Sequence, residues 1–170
     1  MLINRLTITA LALFAAIDIA HAGPDKDTAV VMGSIQIQAD ENAGEYAAIR
    51  IGTVNGSDLG HLQGNAFSVI GSLLAAAKGD GSVATIDIGN VDNLTVGGRR
   101  ERNTRVGGIL TSTASGADAQ ATIEIGAARD VEVSGNFRQD TTVNGTVESN
   151  ANGRGARSCV VIGFIGRRSC

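Results

Sequence analysis

Ala84-Thr85-Ile86-Asp87-Ile88-Gly89 decides the architecture, because it returns. The same stretch precedes it as Ala47-Ala48-Ile49-Arg50-Ile51-Gly52 and follows it as Ala121-Thr122-Ile123-Glu124-Ile125-Gly126. A fourth copy reads Ser158-Cys159-Val160-Val161-Ile162-Gly163. The four glycines stand at 52, 89, 126 and 163, with an interval of 37 each time. Other columns keep that step: Val69, Val106 and Val143; Gly71, Gly108 and Gly145; Leu73, Leu110 and Val147; Ala77, Ala114 and Ala151; Leu59, Val96 and Val133.

Each unit carries three short apolar pieces separated by turn residues. Ala-x-Ile-x-Ile-Gly alternates strictly, the pattern of a half-buried strand. Leu94-Thr95-Val96 and Val131-Glu132-Val133 form a second piece, and Val-x-Gly-x-Leu a third, ending in small residues and a Gly-rich corner. One unit alone leaves its apolar face uncovered, whereas stacked units at about 4.8 Å place like residues over one another and close a shared core. The expected fold is therefore an all-β solenoid (a β-helix) of about three and a half coils, with three short strands per coil. A β-sandwich also uses alternating strands and stands as the alternative, but it gives no reason for an unvarying step.

The units divide the chain into a partial coil at 23–46, three repeats at 47–157 and a second partial coil at 158–170. Gly33-Ser34-Ile35 matches Gly71-Ser72-Leu73 displaced by one residue, while Gly44 matches Gly81 in phase. Alternation turns Arg50, Asp87 and Glu124 outward in one column, with Arg50 over Asp87 favourable and Asp87 over Glu124 unfavourable. In the last copy this position becomes Val161, beside Phe164 and Ile165, an apolar group suited either to contact between molecules or to a tail folded as a cap.

Residues 1–22 have the layout of a secretory signal: Arg5, an apolar run from Leu6 to Ala16, then Ala20-His21-Ala22 before Gly23. An amphipathic N-terminal helix is the competing reading. The run is too short to span a bilayer, and no later segment suffices, so the protein is expected to be secreted and not transmembrane. Export to an oxidising compartment makes Cys159 and Cys170 a candidate disulfide, within the tail or between subunits. The net charge of −3 gives no basic excess for nucleic acid. The chain has no Trp, one Tyr and four Phe, so aliphatic side chains must fill a thin, layered interior.

Catalytic chemistry has few carriers. Once His21 leaves with the signal, His61 is the sole histidine for any nucleophilic triad, at a position equivalent to the corner residues Gly98 and Gly135. Zinc lacks ligands. Gly79-Asp80-Gly81-Ser82 is not repeated in register as a calcium ladder requires. Asp87 and Glu124 are spaced like a retaining glycosidase pair, but the chain has no long insertions to wall a cleft and no aromatics to stack on sugar. No enzyme activity and no cofactor are expected. Thr111-Ser112-Thr113 has ice-binding spacing, but neighbouring units do not repeat it. The concentrated charge lies at Arg99, Arg100, Arg102 and Arg105, placed at a corner and suited to an anionic polysaccharide or a lipid head group, or simply to solvent.

Over residues 31–165 the chain resembles small secreted Gly-rich proteins of Gram-negative bacteria with Ile-x-Ile-Gly-x-Val repeats. The resemblance is carried by Ile49 to Val54, Ile86 to Val91 and Ile123 to Gly126. It implies export and a surface location, with no activity attached. Filamentous-haemagglutinin adhesins are similar in architecture with a different repeat length, and the Ser/Gln/Asn ladder of curlins is missing. The expected role is that of a subunit of an extracellular fibre or surface layer, self-associating through open solenoid ends. The alternative is a surface adhesin or polyanion-binding module.

Overall fold

A computed structural model of the chain describes residues 18–21, 26–39, 44–51, 54–55, 64–92, 95–96, 99–130 and 132–166. Most of the expected signal segment, together with Leu59, His61 and Cys170, lies outside these residues. The described elements are all strands. In chain order they begin with β1 (Asp18–His21), β2 (Lys26–Ala39), β3 (Tyr46–Ile51), β4 (Val54–Asn55) and β5 (Gly64–Lys78). β6 (Val83–Ile88), β7 (Val91–Asp92), β8 (Thr95–Val96), β9 (Arg99–Ser115) and β10 (Gln120–Ile125) follow. The last are β11 (Ala128–Arg129), β12 (Glu132–Val133), β13 (Asn136–Asn152), β14 (Arg157–Ile162) and β15 (Ile165–Gly166). No helix long and apolar enough to cross a membrane occurs among the described residues.

The strands form four sheets, ordered β1-β2-β5-β9-β13, β3-β6-β10-β14, β4-β7-β11-β15 and β8-β12. Every pairing is parallel except β1 with β2, which is antiparallel. Ile49, Ile86, Ile123 and Val160 are successive partners, as are Ile51, Ile88, Ile125 and Ile162. The sequence columns are therefore hydrogen-bonded neighbours, in the parallel order that fits a solenoid and not in the antiparallel ladder of a sandwich. The displaced match at the beginning also holds: Gly33 pairs with Gly71 and Ile35 with Leu73, while the Gly44 amide donates to the Asp80 carbonyl in the 37-residue phase.

The third piece differs from expectation. It is no strand of about five residues but a long one, reaching 17 residues in β9 and in β13. Correspondingly, Arg99–Arg105 is the first part of β9 and not a corner. The intervening pieces shrink to two-residue strands. The physical reason is that alternation continues unbroken through β9, with Arg102, Thr104, Val106, Leu110, Ser112 and Ala114 all buried. Polar side chains hold the inward positions of its first part, so hydropathy alone does not mark it as a strand.

Ala47, Ile49 and Ile51 and their equivalents pack against Val69, Leu73, Ala75 and Ala77 and theirs, making one continuous apolar core. Two of the polar inward positions find backbone partners. The Ser112 hydroxyl donates to the Ala84 carbonyl at 2.8 Å, and the Ser149 hydroxyl does the same to Ala121 at 2.9 Å. A buried hydroxyl bonded in this way avoids the desolvation cost of an unpaired polar group. Gly33, Gly71, Gly108 and Gly145 form a column in which a Cβ on any of the last three would fall on the carbonyl oxygen of the glycine before it.

Candidate functional site

In an internal unit the inward residues of the six-residue strand are sealed by the strands on either side. Ile123 and Ile125 are wholly buried. Their neighbours in the last unit, Val160 and Ile162, are 43% and 47% exposed, and Ile165 is 52% exposed where Ala128 beneath it has no exposure. Among the described residues β13, β14 and β15 are the outermost strands of their sheets, so each has an edge with no neighbouring strand beside open apolar columns.

The possible assembly surface read from sequence, Val161, Phe164 and Ile165, coincides only in part with these exposed residues. Val161 and Phe164 are half-buried, and only Ile165 of the three is exposed. Among the described residues no strand follows β14 in its sheet, and the core-facing Val160 and Ile162 open to solvent. Cys159, on β14, is disulfide-bonded, and its expected partner Cys170 falls outside the described residues.

An open cleft of about 610 Å³ lies against this end, lined by Arg99, Glu101, Asn136, Phe137, Arg138 and Ile165 among others. Its cations are already engaged: Arg99 lies 3.0 Å from Glu101 and Arg138 lies 3.1 Å from Asp140. The four-arginine run is split by strand alternation. Arg99 and Arg105 are exposed, while Arg102 points inward and is buried. The Arg102 guanidinium donates to the Ala127 carbonyl and to Gln139 Oε1 and sits 5.9 Å from the centre of the Phe67 ring, within cation–π range. Arg102 therefore belongs to the interior, not to a polyanion-binding face. The side chain of Arg100 is outside the described set.

A second polar cluster forms at the turn after β6 and β10. Gly89 and Gly126 take φ of 58° and 62°, conformations open to glycine at little cost. The turn brings Asn90 and Arg129 to the outward carboxylates of the preceding strands. Arg50 pairs with Asp87 at 3.5 Å as the alternation implies, and Arg129 pairs with Glu124. The Asn90 amide nitrogen lies 3.4 Å from both Asp87 and Glu124, and its oxygen accepts from the Ala127 amide at 2.9 Å. Glu124 is buried, contrary to the solvent-facing position read from sequence, because the residues after the turn close over it. Asn90 and Arg129 escaped sequence reading because a left-handed glycine lies between them and the carboxylates, which breaks simple alternation.

Burial, reinforced by the nearby Glu124 charge, pushes the Asp87 carboxyl from its ordinary value of 3.8 up to about 6, against the lowering effect of Arg50 and Arg129. A raised folded-state value means that the folded protein binds the proton more tightly than the unfolded chain. The resulting stability is complete below about pH 3.8 and is lost as pH rises through about 6. Between pH 4.5 and 7.5 this group is expected to change unfolding free energy by about 2 kcal/mol, lower at the higher pH. Urea unfolding at the two pH values, compared with Asp87→Asn, checks this: the variant should lose that part of the slope, and an unchanged slope refutes the assignment.

Among the described residues no group of three or more His, Cys, Asp or Glu is placed to hold a metal ion. Compared with protein-family models, with curated proteins and with solved structures, the chain has no match in any of the three.

Proposed function

We propose that the chain closes into a β-solenoid and serves, after export, as a structural subunit that self-associates through its open end into an extracellular fibre or surface layer. The observation that carries this reading is the exposure of Val160, Ile162 and Ile165 on strands whose internal counterparts are sealed. Free strand edges bordered by apolar side chains are templates for pairing with another chain. Parallel sheets in a constant register, with like residues stacked, support the solenoid. No catalytic role and no cofactor form part of the proposal.

The exported protein, purified from periplasm or medium, is expected to associate with rising concentration in sedimentation velocity. Ile162→Lys should weaken that association at least tenfold, with little effect on subunit stability because the side chain is already half exposed. A protein that stays monomeric at all accessible concentrations, with or without reductant, defeats the reading. The cleft beside Arg99, Arg138, Phe137 and Ile165 favours a second role, docking of an anionic polysaccharide or lipid head group. It is the weaker reading, since each arginine already has a carboxylate partner.

A further inference from the structure

The two ends of the stack are not equivalent. Val160 and Ile162 stand open on β14, whereas Ile49 and Ile51 on β3 are only 3% and 7% exposed, although β3 is equally the last strand of its sheet. At the same N-terminal end, β1 lies on the outer edge of β2 and runs antiparallel to it, with Asp18 opposite Val30 and His21 opposite Asp27. β1 falls within residues 1–22, the segment whose sequence has the layout of a cleavable secretory signal. Among the described residues the C-terminal end thus presents open apolar side chains, whereas at the N-terminal end the β3 isoleucines are covered and β1 occupies part of the β2 edge.

What fits the open end is set by the repeat itself. β14 is received by β10 with Val160 beside Ile123 and Ile162 beside Ile125, and its free edge offers the next strand the same pattern that β10 offers β14. A strand with alanine or serine, isoleucine and isoleucine at alternate inward positions matches it. At the opposite end β3 carries Ala47, Ile49 and Ile51. Carrying each pairing forward by one register step places Val160 over Ile49 and Ile162 over Ile51 of a second copy. The same step places Ile165 over Val54, Val143 over Val31, Gly145 over Gly33 and Ala151 over Ala39. Outward neighbours along the long strands are mainly uncharged or singly charged pairs, such as Glu148 with Gln36 and Asn150 with Gln38. In this register Gln139–Thr142 of the first copy would need the edge of Asp27–Val30 that β1 occupies in the second.

We infer that the open C-terminal end docks on the N-terminal end of another copy in the register of the internal repeat, and that β1 blocks part of this receiving edge until the segment that carries it is removed. The inference rests on the self-association reading and adds its partner face, its register and its trigger. Such a contact is heterologous and does not close on itself, so it propagates as a filament instead of stopping at a dimer.

The test joins Gln38→Cys and Asn150→Cys in one full-length chain with a site-specific protease sequence placed between Ala22 and Gly23. Both positions are exposed, and within one chain they lie three strand spacings apart, about 14 Å, beyond disulfide reach. Any cross-link between them therefore joins two copies. After cutting and mild oxidation, a ladder of cross-linked multimers is expected, at least tenfold more abundant than in the uncut chain. Ser34→Cys with Asn150→Cys, displaced by four residues along β2, should give none. An equal ladder from the uncut chain overturns the blocking role of β1. Association after cutting that leaves the 38–150 pair unlinked overturns the register while sparing the self-association reading. A cut chain that does not associate at all sinks both.

Discussion

Gly108→Ala is expected to destabilise the protein by about 4 kcal/mol or more, enough to unfold a domain of ordinary stability. Two costs combine. The backbone at Gly108 has φ of 136°, a conformation that L side chains rarely adopt, and a Cβ there would land on the Gly71 carbonyl oxygen within the stacked column. Strained φ costs on the order of 1–3 kcal/mol and overpacking costs a similar amount. The neighbouring residue is a built-in control. At Gly107 the nearest atom to an added Cβ is the Asn144 carbonyl oxygen at 3.8 Å, an ordinary contact. Gly107→Ala should therefore stay within about 1 kcal/mol of the parent. Urea midpoints followed by circular dichroism separate the two, and equal midpoints would refute the stacked-glycine account.

Ile123→Ala comes next, with an expected loss of about 3 kcal/mol. The side chain is wholly buried between Ile86 and Val160, so its removal costs both transfer free energy and an unfilled cavity. The same column offers an internal comparison in Val160→Ala. Val160 is open in the single chain, and truncation there should cost no more than about 1 kcal/mol in the monomer. If copies stack in the register inferred above, the penalty at Val160 should grow on assembly. Denaturation of monomer and assembled material in parallel measures that growth.

Much of the fold was legible because it depends on identical side chains recurring at a fixed step. The pairing of Ile86 with Ile123, the one-residue displacement of Gly33 against Gly71 and the Arg50–Asp87 ion pair could all be read in this way. The long strands could not. Their inward residues include Thr104 and Arg102, and the guanidinium of Arg102 is held inside by the Ala127 carbonyl and the Phe67 ring. Hydropathy sees those residues as surface. For the candidate site, the sequence pointed to Val161, Phe164 and Ile165, and of these only Ile165 is exposed. Val161 drew attention because it replaces charged residues, whereas Val160 and Ile162 look like core residues and differ in having no further strand beyond them among the described residues. The interleaving of Asn90 and Arg129 with Asp87 and Glu124 depends on the turn geometry at Gly89 and Gly126, which spacing alone does not disclose.

The displacement at the start of the stack has a wider implication. From Ala39 to Tyr46 the chain takes one residue more than from the paired Ala77 to Val83, yet both strands beyond that connection rejoin their ladders with the correct side chains facing the interior. An extra residue inside β3 or β6 would invert every following side chain. Connections of this kind act as slack: changes in length at the bends leave the ladders undisturbed, and the straight segments tolerate none.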